Sequence, residues 1–470
     1  MSDMDKGLRR ALDLGGGETI QQLLQAGLRD RDYENLSTGE RVQAHAALTA
    51  MDAAEPGEGS GPEERAAQQE KRVVVQCADL EPGVEICRHL LANEATAVVE
   101  GALIVAFATG SDRILVHLAE DDEIGAAAVG AAAQTLTPLL TGTASDGLTV
   151  EAVRAPFRRN MKGYEEVPTL LVTGETLLNI SRILSEGSEQ YRTVGTVDSP
   201  GTKLFQVTGS VAHPGIQELP LGTSLRTLLD DGAGGLAEDA TLKAVIVGGV
   251  KGVYLTPDEL DVSLDFDSIH DAGGTIGSGA VTVLDEKDCI VDQTKSRVAI
   301  SCYDVCATCS LGREGSYQLR EIVADATRGK SKGSDVETMR EVSRGMKVGG
   351  ACQFGRTAPN ILVSALDKFP DEWEAHMKRK LCRPLVCDHY VTFHILPDLC
   401  DGCGACVDVC PEDAIEGGTK KIHVIDQDLC EKCGKCLEVC NGLRQAVVKA
   451  GPVKPRTPKR PVPVGSWKKS

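Results

Sequence analysis

Leu399-Cys400-Asp401-Gly402-Cys403-Gly404-Ala405-Cys406-Val407-Asp408-Val409-Cys410-Pro411 is matched thirty residues on by Leu429-Cys430-Glu431-Lys432-Cys433-Gly434-Lys435-Cys436-Leu437-Glu438-Val439-Cys440. Both stretches read C-x2-C-x2-C-x3-C. Three closely spaced thiolates can wrap one face of an iron–sulfur cube, and the fourth cysteine of each run reaches across to the other cube. The expected ligand sets are Cys400, Cys403, Cys406 and Cys440 for one [4Fe–4S] cluster, and Cys430, Cys433, Cys436 and Cys410 for the other. Zinc knuckles share the C-x2-C element, but eight cysteines in this doubled order favour clusters. The chain is expected to handle electrons.

Working outward, 470 residues suggest three or four domains, each with its own core. Seventeen cysteines crowd into motifs instead of spreading as disulfide pairs, which suits a reducing cytoplasm. No signal peptide is read at the N-terminus. No apolar stretch is read as spanning a membrane; the nearest candidate, 97–109, is short and holds Glu100. A net charge of −19 argues against a nucleic-acid partner, because like charge repels a phosphate backbone. The last twenty residues reverse that balance, with Lys454, Arg456, Lys459, Arg460, Lys468 and Lys469 and no acid. Their prolines forbid a helix. This basic tail, 451–470, reads either as a solvated, disordered end or as an arm for an acidic partner subunit.

The expected fold class is α/β and multidomain. Residues 1–50 show helical spacing of Leu8, Ala11, Leu12, Ile20, Leu23, Leu24 and Leu28. A Gly-, Pro- and Glu-rich loop is read at 53–64. Strands are then expected at 72–76, 113–118 and 148–153, with helices at 95–109 and 124–140, and helix again over 165–195. Thr202–Leu284 has short β runs and turn glycines, which read as a small α+β domain. The domain boundaries follow: an α/β domain over 1–198, a second domain over 199–287, a helical cysteine-bearing domain over 288–394, the doubled cysteine unit over 395–450, then the tail.

A second thiol group lies in Cys302-x3-Cys306-x2-Cys309, with Cys352 further on. C-x3-C-x2-C also marks radical-SAM enzymes, but those place it early in a barrel. Here it precedes helical sequence and has a fourth thiol in reach, so a closed [4Fe–4S] cluster is expected. His376-x5-Cys382-x4-Cys387 could hold zinc, although spacing supplies no fourth ligand. Cys77, Cys87 and Cys289 stand alone in apolar sequence and read as core residues.

At this point the chain resembles the NADH-binding flavoprotein subunit of respiratory complex I, and above all the beta subunit of electron-bifurcating hydrogenases. The likeness is carried by Ser199-Pro200-Gly201-Thr202-Lys203-Leu204-Phe205-Gln206-Val207, by Gly248-Gly249-Val250, and by Phe354-Gly355-Arg356-Thr357-Ala358-Pro359-Asn360. It implies a Rossmann-like α/β domain, a soluble-ligand-binding β-grasp domain, a helical bundle with one cluster and a bacterial ferredoxin-like end. It also implies a zinc site at His376, Cys382 and Cys387.

The departures from that family fall on its flavin site. Its Gly-Leu-Arg-Gly-Arg-Gly-Gly-Ala-Gly-Phe-Pro-Thr-Gly loop becomes Gly27-Leu28-Arg29-Asp30-Arg31-Asp32-Tyr33-Glu34-Asn35-Leu36-Ser37-Thr38-Gly39. Glycines let a phosphate approach backbone N–H groups, and the carboxylates here would repel it. The family's Asn-Ala-Asp-Glu-Gly-Glu-Pro-Gly becomes Cys77-Ala78-Asp79-Leu80-Glu81-Pro82-Gly83, one residue shorter. Its Asn-Asn-Val-Glu-Thr-Leu becomes Val172-Thr173-Gly174-Glu175-Thr176-Leu177, and a further Gly-Glu-Glu-Thr-Ala segment is not recognisable before Tyr164. The cysteine trio departs too, since Ser310-Leu311-Gly312 separate Cys309 from Arg313-Glu314-Gly315.

The chain is therefore expected to be an electron-relay subunit of a cytoplasmic oxidoreductase complex, holding three [4Fe–4S] clusters but no FMN or NADH. The resemblance implies other redox subunits as partners, a small iron–sulfur subunit and a catalytic subunit among them. An active NADH oxidoreductase and a scaffold in which only the ferredoxin unit conducts are the alternatives.

Overall fold

A computed structural model describes residues 5–31, 36–52, 71–79, 81–155, 167–305 and 309–467. The loop expected at 53–64 lies outside them, as do Asp32 to Asn35, Leu80, residues 156–166, Cys306 and the last two lysines. The chain divides into two compact units. One comprises Met1–Asp285, Arg297–Tyr317 and Ser343–Ser364, and the other Glu286–Ser296, Gln318–Val342 and Ala365–Ser470.

The first unit opens with helices Lys6–Leu14, Gly16–Ala26 and Thr38–Asp52. They pack on the helices that flank a four-stranded sheet. The sheet is built from β1 (Arg72–Cys77), β2 (Arg113–Leu118), β3 (Thr149–Arg154) and β4 (Thr169–Thr173), in the order β3-β2-β1-β4, and Thr38–Asp52 also reaches its edge strand β4. Every pairing is parallel, with Val73 opposite both Ile114 and Leu170. Parallel strands need crossovers, and helices Ile86–Thr109 and Glu123–Leu136 supply them. Strand β1 is buried from Val73 onward, as expected for a sheet covered on both faces.

Two expectations are corrected here. The stretch 165–195 is not helical throughout: Thr169–Thr173 joins the sheet beside β1, and only then does helix Gly174–Glu186 begin. The helix expected at 95–109 starts at Ile86, with a kink at Glu94 where φ is −131°. At 24 residues it is long and apolar enough to cross a membrane, but 67% of its apolar window is buried within the protein. Glu100 in its middle is buried and caps another helix, accepting the N–H of Leu8 at 2.9 Å and the hydroxyl of Ser181. Those are the marks of a core helix.

The same unit carries a five-stranded mixed sheet, ordered β6-β5-β9-β7-β8. Its strands are β5 (Thr202–Gly209), β6 (Gly215–Pro220), β7 (Leu242–Val247), β8 (Val253–Leu255) and β9 (Ala280–Asp285). Only β5 and β9 run parallel. Phe205, Val245, Phe266 and Val281 fill its core.

In the second unit, β10 (Thr392–Ile395) pairs antiparallel with β14 (Val447–Ala450). Two further ribbons join β11 (Ile415–Glu416) to β13 (Val424–Ile425), and β12 (Lys421–Ile422) to β15 (Val462–Pro463). Phe393, Ile395, Ile415, Ile422 and Ile425 form the core with Cys400, Cys406, Cys436 and Cys440. The tail is tied down near its far end, while Val453 stays 89% exposed. Val462 and Trp467 pack against this core, and Val462 lies opposite Ile422. Apolar side chains set among the prolines explain why, and the lysines distract from them.

Candidate electron-transfer and metal sites

Each cysteine run of the second unit is a loop followed by a short helix, Ala405–Asp408 or Lys435–Asn441. Gly402 turns the first loop in left-handed geometry, with φ 74°. A Cβ there would meet the Lys420 and Lys421 backbone at 2.7–2.8 Å, so no other residue fits without a shift. The loops bring eight thiols into two groups. One cavity is lined by Cys400, Cys403, Cys406 and Cys440, a second by Cys410, Cys430, Cys433 and Cys436. Burial, then the neighbouring thiolates, push the Cys406 thiol up to about 12 and that of Cys436 to about 11. Cation binding must displace such protons, and four soft donors around one hollow suit an iron–sulfur cluster. Cys440 also accepts the Ala446 N–H at 3.2 Å, and the Nδ1 of buried His423 lies 3.6 Å from the Cys400 sulfur.

In the first unit, Cys302 lies in the last turn of helix Ile290–Asp304, and Cys309 and Cys352 each open a helical turn. Cys306 lies outside the described residues. Cys309 accepts the N–H of Gly312 and Cys352 that of Gly355, both at 3.3 Å. A Cβ on Gly312 would stand 3.1 Å from the Cys309 sulfur, so glycine leaves the thiol room. The residues between Cys309 and Arg313 enter a wide π turn, Leu311–Gly315, that leads into helix Ser316–Thr327.

The third group gains a member. Cys289, read from sequence as a core residue, stands with His376, Cys382 and Cys387; all four are buried and their ligand atoms lie within 4.8 Å of one another. The Cys289 sulfur is 3.4 Å from His376 Nε2 and 3.8 Å from the Cys387 sulfur, and Cys387 is 3.5 Å from Nε2. A tetrahedron with Zn–S and Zn–N bonds of ordinary length has edges of about 3.8 and 3.6 Å. His376 Nδ1 is 2.8 Å from the Glu372 carbonyl, which holds the proton there and leaves Nε2 as the donor atom. These residues fit zinc. No local spacing could have found Cys289, because it precedes His376 by 87 positions.

The described residues of the flavin-loop counterpart, on either side of Asp32 to Asn35, bond to one another and to their neighbours. Asp30 N–H donates to the Leu36 carbonyl and Thr38 N–H to Leu28, so the loop zips onto itself. The buried Asp30 carboxylate accepts from the Thr38 hydroxyl at 2.6 Å and pairs with Arg41. Arg31 donates to the carbonyls of Arg29, Pro200 and Thr202 and to the Tyr191 hydroxyl, at 2.8–3.0 Å. Beyond the carboxyl ends of β1 and β4 a cavity of about 60 Å³ remains, lined by Arg31, Asp79, Glu81, Cys87 and Glu175 among others. Small-molecule sites typically measure ~300–1,000 Å³. Glu175 is bound to Lys203 at 2.8 Å and to the Leu204 N–H at 2.6 Å. Glu81 accepts from Val250 N–H and the Ser278 hydroxyl, both at 3.0 Å. An acidic, filled hollow does not fit a flavin phosphate.

Residues 292–376 match the NADH-ubiquinone oxidoreductase-F iron-sulfur binding region, 393–416 a 4Fe-4S binding domain and 204–253 an SLBB domain. The NADP-reducing hydrogenase subunit HndC of Solidesulfovibrio fructosivorans is 37% identical over 278 residues, 59% of this chain and 57% of that one. The NADH-quinone oxidoreductase F 2 subunit of Rhizobium meliloti is 27% identical, over 68% of this chain and 83% of its own. Over these regions the chain is similar to the F subunit of complex I and to its hydrogenase counterparts. An NAD+-reducing [NiFe]-hydrogenase in its H2-reduced state shares the fold with a TM-score of 0.62 at 22% identity, over 78% of this chain and 64% of that one. The chain aligns with little more than half the length of HndC. The iron–sulfur match spans Cys302, Cys306, Cys309 and Cys352 and stops at His376.

Proposed function

We propose that this chain is an iron–sulfur electron-transfer subunit of a multisubunit oxidoreductase, without FMN or NADH of its own. Two hollows lined by four cysteines apiece carry this reading. Cys400, Cys403, Cys406 and Cys440 would hold one [4Fe–4S] cluster, and Cys410, Cys430, Cys433 and Cys436 another. Cys302, Cys306, Cys309 and Cys352 would hold a third, with the Gly312 and Gly355 N–H groups steadying two of its thiolates. When bound, such clusters supply one-electron carriers. Cys289, His376, Cys382 and Cys387 would hold a structural zinc, since all four positions of a tetrahedron are protein ligands. The mixed sheet from Thr202 to Asp285 would be the β-grasp domain, and the parallel sheet a flavodomain whose pocket Arg31 and its neighbours now occupy. Partners would be other redox subunits.

Anaerobic purification followed by iron, sulfide, zinc and flavin assay tests this. About twelve irons, one zinc and no FMN per chain are expected from three four-iron clusters and one zinc site. Stoichiometric FMN would remove the flavin-free assignment. Two cluster signals in place of three after reduction would leave the ferredoxin unit as the sole conductor.

A further inference from the structure

The two halves of the ferredoxin unit are not equivalent at one position. Phe393 stands seven residues before Cys400, and His423 seven residues before Cys430; both segments end in Asp-Leu-Cys. Each side chain lines the hollow of the opposite run. His423 borders Cys400, Cys403, Cys406 and Cys440, whereas Phe393 borders Cys410, Cys430, Cys433 and Cys436. One hollow therefore has an imidazole where the other has a phenyl ring.

The imidazole is held in place. His423 is 1% exposed and lies between β12, pinned by the tail strand Val462–Pro463, and β13, pinned by Ile415–Glu416. Gly417 makes room for it, since a Cβ there would collide with the His423 ring. Nδ1 lies 3.6 Å from the Cys400 sulfur. A ligated cysteine is a thiolate with no proton to give, so the only hydrogen bond open to this pair is Nδ1–H donating to sulfur. Phenylalanine has no such donor.

We propose that His423 is a positioning residue that sets the two ferredoxin clusters at different potentials, which rests on the cluster assignment above. Added electron density falls partly on the ligand sulfurs, so an N–H donor stabilises the reduced form and raises the potential. The cluster on Cys400, Cys403, Cys406 and Cys440 is the higher of the two. Electron exchange between them then runs downhill toward it: one cluster loses one electron as the other gains it, and no bond or proton moves.

The test uses the full-length holoprotein, with iron and sulfide counted first. Absence of eight ferredoxin-unit irons would overturn the cluster assignment itself and not this inference alone. With both clusters present, an EPR-monitored redox titration should resolve two midpoints. His423→Phe should shift the higher one downward toward the other, and His423→Gln, which retains an N–H donor, should recover part of the shift. Unmoved midpoints in His423→Phe at full iron content refute the inference. Should the Phe variant lose a cluster, pulsed EPR on wild-type protein labelled with ¹⁵N-histidine decides. Nitrogen coupling to one ferredoxin cluster, absent in His423→Gln, supports the hydrogen bond, and its absence in the wild type overturns it.

Discussion

Asp79 lies where helix Ile86–Thr109 begins, and its carboxylate accepts the Cys87 N–H at 3.0 Å and the Arg88 N–H at 3.4 Å. Burial outweighs these donors and raises its pKa to about 6. The native state then holds this proton where the unfolded chain has released it. Stability from this group is complete near pH 4, falls as pH rises to about 6, and is flat beyond, by at most roughly 3 kcal/mol. Asp79→Asn keeps an acceptor without the charge. Its unfolding temperature should exceed that of the wild type by a margin that grows from pH 5 to 7; parallel curves would refute the assignment. Arg31→Ala should cost about 2–4 kcal/mol, because three carbonyls and a hydroxyl lose a buried charged donor. Thermal unfolding reads that loss, and flavin binding should not appear. At this scale the sequence was legible where ligands are neighbours. Spacing groups the thiols inside each run, but no spacing rule reaches from Cys289 to His376.

Among the elements, the helix Ile86–Thr109 and helix Gly174–Glu186 meet at Gly101, where a Cβ would collide with the Leu177 carbonyl. Gly101→Val should separate them at a cost of about 1–3 kcal/mol or more, visible as faster amide exchange in both helices. Strand β4 shows why element type was partly hidden. Leu170-Leu171-Val172 runs almost directly into Thr176-Leu177-Leu178, and a continuous apolar run does not separate a buried strand from a buried helix. The tail was hidden differently, because Val462 and Trp467 are isolated among charges and prolines. Ending the chain at Gly451 should expose Ile422, now fully buried, and speed the bleaching of iron–sulfur absorbance in air several-fold. Equal bleaching rates would mean that the tail protects nothing.

Across the whole molecule, the alternation of strands and helices and the family likeness were both readable, since each depends on many residues at once. The chain's path between its two units was not. It enters the second unit at Glu286, returns to the first at Arg297, and alternates until Ala365, and such a path has no local signature. Cys289→Ser should reduce zinc from about one per chain to near zero by metal analysis; full retention would break the four-ligand assignment. The Cys289–His376 pair has a consequence for assembly. A metal held there closes a ring of 87 residue steps on which Cys302, Cys309 and Cys352 are all strung. While the chain is unfolded, closing a loop of that length costs about 4 kcal/mol in chain entropy. Of the metals proposed for these residues, the first to bind would meet that cost, and the next would find its thiols already confined to a smaller volume. On the proposed assignments, zinc bound before this segment folds would hasten iron–sulfur loading at Cys302, Cys309 and Cys352, through the connectivity of the chain alone.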